Sequence, residues 1–409
     1  MPTTPTSTDR RARAAVSALF LTNGALLANL LPRLPELKAQ LQLSNLGYGA
    51  SVAAFAAGAL IAGPTAGALI RRWGSARLAV GSTLLLAVAV AVAAAAPTPA
   101  VFAAALGCAG GADALTDVAQ NAHGLRVQRR YGRSIINALH AVWSAGAVLG
   151  GLAGIVAIAL GVSPAVQLAV SGSACAALSL AAYRGLLRGP DTSPPGRAGA
   201  VARARRPALG AYLTLSALVL LALAGAVVED AGNSWATLYL RQGGAAAAVA
   251  PLGYVALVGF QLVGRLLGDR LVDRFGTRAV TRAGGVLITV GMGAALGWPA
   301  VGVAIAGFAA AGLGVATVVP AAMHGADELA GLRPGTGLTA VNWLMRIGYL
   351  LSPPLVGLIA DASGLRTGLL VAPAAGLVVV ALAGVLAGPR AAAGDRRNRR
   401  LDNGRVNGR

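Results

Sequence analysis

Apolar residues in this chain do not alternate with polar ones; they gather into twelve long runs separated by short polar breaks. The runs cover residues 14–34, 46–70, 76–96, 99–124, 135–160, 164–187, 209–239, 246–268, 279–298, 300–323, 335–360 and 366–388. Each is long enough to cross about 30 Å of hydrocarbon as a helix. Lipid offers no partner to a bare amide, so runs of this length are predicted to be α-helices rather than open strands. Arg10, Arg11 and Arg13 precede the first run as they would in a secretory signal. Asn23 and Asn29 interrupt that run, however, and a convincing small-residue cleavage site is missing, so it reads as an uncleaved first helix.

The polar breaks divide the chain in two. The longest, 188–208, is rich in Pro, Gly and Arg and follows the sixth run. On either side one local sequence recurs, AGALIRRWGSARL at 66–78 and GDRLVDRFGTRAV at 268–280, with Gly74 and Gly276 202 residues apart. An internal repeat of that size in a membrane chain predicts two similar bundles related by an axis along the membrane normal, with a substrate between them near the midplane. The expected architecture is an all-α integral membrane protein with 12 transmembrane helices in two pseudo-symmetric six-helix bundles. Its parts are a tail at 1–13, a first bundle at 14–187, a linker at 188–208, a second bundle at 209–388 and a basic tail at 389–409.

Composition agrees with that frame. Of 409 residues, 56% are hydrophobic and 12% charged, against about 25% charged in soluble domains. The net charge of +20 is patterned: 29 of the 34 Lys and Arg residues fall in segments 1–13, 71–77, 126–133, 184–206, 265–282, 324–334 and 389–409. The intervening loops hold only Arg33, Lys38, Arg241 and Arg366. Such asymmetry follows the positive-inside rule and puts both termini in the cytoplasm. Because topology already demands these basic residues, they do not point to nucleic acid. The head and the tail 394–409 read as disordered segments near anionic lipid. One Lys against 33 Arg suggests a GC-rich bacterial genome, and hence a bacterial cytoplasmic membrane. Cys108 and Cys175 lie inside apolar runs and read as small buried hydrophobes.

Polar side chains inside the runs carry the functional argument. An Asp at the bilayer centre costs about 2.5 to 3.5 kcal/mol on insertion scales, whereas a Leu or Val returns only about 0.3 to 0.6. Asp113, Asp117 and Asn121 recur at four-residue steps in the fourth run, one stripe along about 12 Å of helix. That stripe must line a cavity or meet partners on another helix; the bland alternative is hydrogen-bond glue between neighbours. In the eleventh run Thr339, Asn342, Arg346 and Tyr349 share a face, and the guanidinium needs a counter-ion or an anionic ligand. Glu229 and Asp230 sit late in the seventh run, ahead of Asn233 and Trp235. His140 opens the fifth run with Trp143 close behind, and imidazole titrates near neutrality. His123 and His324 lie near run ends, where solvated or capping roles are expected. Asn23 and Asn29 are substrate contacts or packed amides, and Trp143, Trp235 and Trp343 are stacking faces or interfacial anchors.

The repeated loop resembles that of the major facilitator superfamily, which carries Gly-x-Leu-x-Asp-Arg-x-Gly between helices 2 and 3 and commonly again between helices 8 and 9. Here Gly67, Leu69, Arg72 and Gly74 match the first copy, with Arg71 in place of Asp. Asp273, Arg274 and Gly276 match the second, with Asp269 in place of Gly. The resemblance implies a cytoplasmic gating motif. It sharpens at PRLPELKAQLQLS (32–44), DVAQNAHG (117–124), NALHAVWSAGAVLGG (137–151) and GYLLSPPLVGLIAD (348–361), which look like the fucose-permease-related branch that includes rhizopine-transport-like membrane proteins. His140 belongs to that likeness. So do Glu229 and Trp235, although Ser234 replaces the branch's Asp. The branch has small residues near Arg346 and Asn342, so these two mark a substrate difference.

The expected function is secondary active transport of a small polar, sugar-like solute by proton-coupled alternating access. Asp113, Asp117, Glu229 and His140 are the proton-coupling candidates. Asn23, Asn29, Asn121, Trp143, Asn233, Trp235, Thr339, Asn342 and Arg346 are the substrate-cavity candidates. A carboxylate carried from a wet cavity into an occluded one is driven toward its protonated form, and an approaching guanidinium reverses this, so proton binding can follow which side is open. The alternatives are a proton-antiport efflux pump for a drug or biosynthetic product and, from another class, a non-transporting sensor or scaffold. An enzyme is not expected: there is no His-x-Glu-x-x-His site, no nucleophile elbow and no phosphate-binding Gly-rich loop with Lys. Accordingly no cofactor and no metal are expected. The partners are substrate, protons and lipid, and the chain is expected to be a monomer.

Overall fold

The computed structural model describes residues 6–131, 135–189, 209–298, 300–329 and 336–386, and every regular element among them is helical. The first span is α1 (Ser7–Leu30) continued by α2 (Leu34–Gln40), and the second is α3 (Asn45–Ala62) continued by α4 (Ala66–Trp73). Single helices form the next seven: α5 (Ser75–Ala94), α6 (Pro99–Tyr131), α7 (Ile136–Ala159), α8 (Pro164–Tyr183), α9 (Leu209–Gln242), α10 (Leu252–Phe275) and α11 (Thr277–Gly297). The last three are paired segments: α12 (Val301–Val315) with α13 (Val318–Asp327), α14 (Thr336–Leu344) with α15 (Arg346–Ser363), and α16 (Leu365–Gly368) with α17 (Val371–Leu382). The linker from residue 190 onward, the tail at 389–409 and residues 1–5 lie outside the described residues.

Eleven of these spans are long and apolar enough by themselves to cross a membrane. The other is α10, 24 residues whose second half carries Arg265, Asp269, Arg270, Asp273 and Arg274. Its place among the twelve follows from the repeat. Large apolar side chains such as Val88, Leu149, Val290 and Leu377 stay exposed, as a face against acyl chains requires.

Local chemistry sets the helix ends. Ser44 and Ser163 accept hydrogen bonds from the amides of Gly47 (3.0 Å) and Val166 (3.4 Å), and Thr6 and Asp9 form a reciprocal capping box. Prolines mark three of the interruptions. Pro32 and Pro64 stand in the 3-10 turns of the first two spans. Pro320 cannot donate to the Ala316 carbonyl, and the tenth span breaks at Ala316–Thr317. The internal repeat is visible in the backbone: Gly74 and Gly276 share φ 83° and ψ 151°, a region closed to other residues, and each amide bonds four residues back at 2.8 Å.

The described residues fall into two compact units. The first is drawn from Met1–Ala200, Ala231–Val258 and Tyr349–Gly368, and the second from Val201–Asp230, Gly259–Gly348 and Leu369–Arg409. They do not coincide with the two halves of the chain, because parts of α9, α10 and α15 pack with first-half helices. In the first unit α1 lies along α7, while α3 and α5 pack on α6. A core of Val16, Leu19, Phe20, Leu139 and Ala79 is closed to solvent. Asp361 accepts the Asn45 and Leu46 amides at 2.9 and 2.8 Å, and the Tyr48 hydroxyl donates to the Ser234 carbonyl at 2.5 Å. The Tyr48 ring meets Trp235 edge-on with centroids 4.9 Å apart. In the second unit α11 packs against α12 and α17, and Arg278 donates to the Leu386 carbonyl at 2.9 and 3.1 Å.

Candidate functional site

The first unit holds a polar cluster where α1, α6 and α7 meet, and small residues bring those helices together. A Cβ added to Gly24 would lie 2.1 Å from the Trp143 carbonyl oxygen, and one added to Gly146 2.2 Å from that of Leu21. Only glycine permits this crossing of α1 and α7, which sets Trp143 beside Asn23. The Trp143 Nε1–H donates to Asn23 Oδ1 at 2.9 Å, and Gln120 Nε2 donates to the same oxygen at 3.0 Å. Asn23 Nδ2 in turn donates to Asp113 Oδ1 at 2.7 Å. Indole can only donate, so the Asn23 oxygen must face it and the amide nitrogen must face the carboxylate. Asn23 is 3% exposed and Gln120 is fully buried.

One helical turn along α6 a second set meets. Asn121 Nδ2 donates to both the Asp117 main-chain carbonyl and Asp117 Oδ1, each at 2.9 Å, while Asn121 Oδ1 lies 3.1 Å from His140 Nε2. The Phe20 ring packs edge-on against the imidazole, centroids 5.3 Å apart, and His140 itself stays exposed. Asp113, Asp117 and Asn121 are thus half-buried along one stripe, Asp113 against Asn23 of α1, Asn121 against His140 of α7 and Asp117 against Asn121 of its own helix.

Other residues of the first half have packed settings. Asn29 Nδ2 donates to the Ala25 carbonyl at 2.8 Å, and Gln167 Nε2 donates to the Asn29 side-chain oxygen at 3.3 Å. Arg33, expected as a loop cation, is 2% exposed; its guanidinium reaches Gln167 (2.5 Å), Glu36 (2.9 Å) and the Val162 carbonyl (2.6 Å). His123 is not solvated but fully buried. The Leu187 amide donates to its Nε2 at 3.2 Å, and Ser75 Oγ lies 2.9 Å from its Nδ1. His324 is exposed beside Glu328. Cys108, expected to be buried, is exposed on its helix, and Cys175 is half-buried.

In the second unit Glu229 of α9 meets two residues of α10. Gln261 Nε2 donates to its carboxylate, and Arg265 Nη2 lies 3.5 Å from the same oxygen. Sequence reading missed both Gln261 and Arg265, although two polar residues four apart in a lipid-length run were a usable signal. Arg346 opens α15 directly after the interruption at Met345, half-buried, with no hydrogen-bond or ion-pair partner among the described residues. Asn342 is half-buried and Thr339 exposed on α14. Asn233 and Trp235 belong to the first unit, where Trp235 is fully enclosed against Tyr48. Gly67 lies in the first turn of α4 while Arg72 and Gly74 end it, and Asp273, Arg274 and Gly276 end α10; Arg72, Asp273 and Arg274 are exposed. No group of three or more His, Cys, Asp or Glu suited to a metal occurs among the described residues.

Comparison with known proteins identifies the class. The Major Facilitator Superfamily model matches residues 16–270. Membrane protein MosC of Rhizobium meliloti is 32% identical over 373 residues, covering 89% of this chain and 88% of that protein. An uncharacterized MFS-type transporter of Yersinia pestis is 26% identical, covering 91% of this chain and 93% of its own. Among solved structures, nucleoside transporter NupG superposes with a TM-score of 0.71 at 14% identity, covering 93% of this chain and 99% of that one. A D-xylose-proton symporter does so with 0.68 at 15%, covering 92% and 96%. The chain belongs to the Major Facilitator Superfamily, in the rhizopine-like branch that its sequence resembles. It is a multi-pass membrane protein with the family's fold of twelve helices in two pseudo-symmetric bundles.

Proposed function

We propose that this protein is a secondary active transporter that moves a small polar solute, sugar-like or a related metabolite, across the bacterial cytoplasmic membrane by proton-coupled alternating access. Both termini are cytoplasmic in this reading, the chain works as a monomer, and residues 14–187 rock against 209–388. The observation that carries it is the cluster of Asn23, Asp113, Asp117, Asn121, His140 and Trp143 on three helices of lipid length. Hydrogen-bond glue alone does not call for two carboxylates, since amides and hydroxyls supply it at lower insertion cost. Carboxylates and an imidazole together supply groups that can gain and lose protons. The amides and the indole supply donors and a flat face suited to a hydroxylated ring. In the second unit Glu229, Asn342 and Arg346 add further charged and polar side chains within runs of lipid length. Support also comes from the solved relatives, one a nucleoside transporter and one a proton symporter for a sugar.

The test is a panel of sugars, polyols and nucleosides offered to inverted membrane vesicles with and without a pH gradient. Gradient-dependent movement of at least one such solute is expected, and its sign gives the direction of transport. Solute binding without movement would replace this reading with that of a sensor.

A further inference from the structure

Two hydrogen-bond chains run from α7 to α6 on one plan. In the first, Trp143 donates to Asn23 and Asn23 donates to Asp113. In the second, His140 meets Asn121 and Asn121 donates to Asp117. Each places an Asn amide between a ring nitrogen and a carboxylate. The ring residues are three apart on α7 and the carboxylates four apart on α6. They differ in one chemical respect: an indole N–H never titrates in the physiological range, whereas an imidazole does.

The second chain has a fixed polarity. Asn121 Nδ2 lies 2.9 Å from the Asp117 main-chain carbonyl, an atom that can only accept, so the nitrogen is placed there and the Asn121 oxygen faces the imidazole. That oxygen can only accept as well, so His140 Nε2 must carry a hydrogen. Neutral His140 is then the Nε2–H tautomer, and the atom that gains and loses a proton is Nδ1.

Asn121 ties Asp117 to this ring, and other charged groups stand along the helices around it. On α6, Asp113 stands one turn away, bonded to Asn23, and His123 with Arg126, Arg129 and Arg130 lies further on. On α1 the Phe20 ring meets the imidazole, and the charged residues Asp9, Arg10, Arg11 and Arg13 belong to the first two turns. Arg33, in the turn beyond α1, is engaged by Glu36, and Tyr254 of α10 meets Gly151, three turns along α7.

We propose that Asp117, Asn121 and His140 form the proton-handling unit of this protein, with Asn121 as the positioning residue that joins the two titratable side chains. The Trp143–Asn23–Asp113 chain is its non-titrating counterpart. A proton taken up at His140 Nδ1 makes an imidazolium whose Nε2–H donates more strongly to Asn121, and the amide passes that polarisation to the Asp117 carboxylate. No proton crosses the amide; it enters and leaves at Nδ1 while Asp117 carries the compensating charge. The use of this proton in transport rests on the transporter reading above, whereas the tautomer does not.

The experiment is nitrogen-15 NMR of the full-length protein labelled at its 3 histidines, with His140→Gln and His123→Gln used for assignment. At alkaline pH, His140 is expected to show a hydrogen-bearing Nε2 and a bare Nδ1. His123, whose Nε2 accepts the Leu187 amide, is expected to show the reverse. Asn121→Ala should turn the His140 signal into a tautomer mixture. Asp117→Asn should keep the tautomer but move the His140 titration midpoint by about half a pH unit or more, and Asp113→Asn should move it by less than about half that. A hydrogen on His140 Nδ1 of the neutral ring at alkaline pH in the wild type would overturn the proposal even if no variant folds, and so would an equal effect of the two Asp variants. Absence of solute-driven proton flux with the predicted tautomer intact would instead count against the transporter reading alone.

Discussion

Asn23 on α1 and Asp113 on α6 meet at 2.7 Å, amide nitrogen to carboxylate, although 90 positions separate them in the chain. The same amide oxygen takes hydrogen bonds from Trp143 and Gln120, so one side chain ties α1 to both α6 and α7. Asn23→Ala removes all three bonds from a buried setting. Interhelical hydrogen bonds in membranes contribute about 0.6 kcal/mol each, so a loss of about 2 kcal/mol is expected, together with loss of transport. Thermal unfolding in detergent measures the first and vesicle uptake the second; an unchanged melting temperature would mean that the cluster is not formed.

At another place in the first unit the Asp361 carboxylate accepts both leading amides of α3. It acts there as a cap supplied from α15, favourable to the orphan N–H groups and to the positive end of the helix. Asp361→Ala is expected to lose about 0.5 to 2 kcal/mol, and Asp361→Asn, which keeps an acceptor oxygen, about half as much. A melting series of the three proteins gives the order wild type, Asn, Ala; equal loss in both variants would point to the charge alone.

Much of this architecture was legible in the sequence, because lipid-length apolar runs leave helices as the only local solution. The twelve spans, the placement of Gly74 and Gly276 and the uncommon polar residues all follow from composition and period. What pairs with what did not follow. Asn23 and Trp143 are 120 positions apart, and their contact depends on how α1 crosses α7 at Gly24 and Gly146, a geometry that no single-helix period encodes. Arg33 misled for the same reason: a cation in a short loop reads as solvated until Gln167 of α8 and the Val162 carbonyl are brought against it. The breaks at Ala316–Thr317 and Met345 lie inside apolar runs, where hydropathy carries no mark of a turn.

Arg346 offers a contrast between function and stability. Because no described residue pairs with it, Arg346→Gln removes no bond to a described residue, and the melting temperature is expected to hold within about 1 °C. Transport of the solute is expected to fall at least about tenfold, equivalent to about 1.4 kcal/mol, if the guanidinium meets the solute directly. Breaking a static buried ion pair would instead cost about 3 to 5 kcal/mol of stability. Initial uptake rates beside melting curves separate the two outcomes.

Half-buried carboxylates are expected to couple solute movement to protons. Solute accumulation against a gradient in proteoliposomes, compared for the wild type, Asp117→Asn and Glu229→Gln, tests it most directly. The wild type is expected to accumulate solute when driven by a pH gradient, and at least one variant is expected to lose this while keeping downhill exchange. Full accumulation against the gradient by both variants would contradict it.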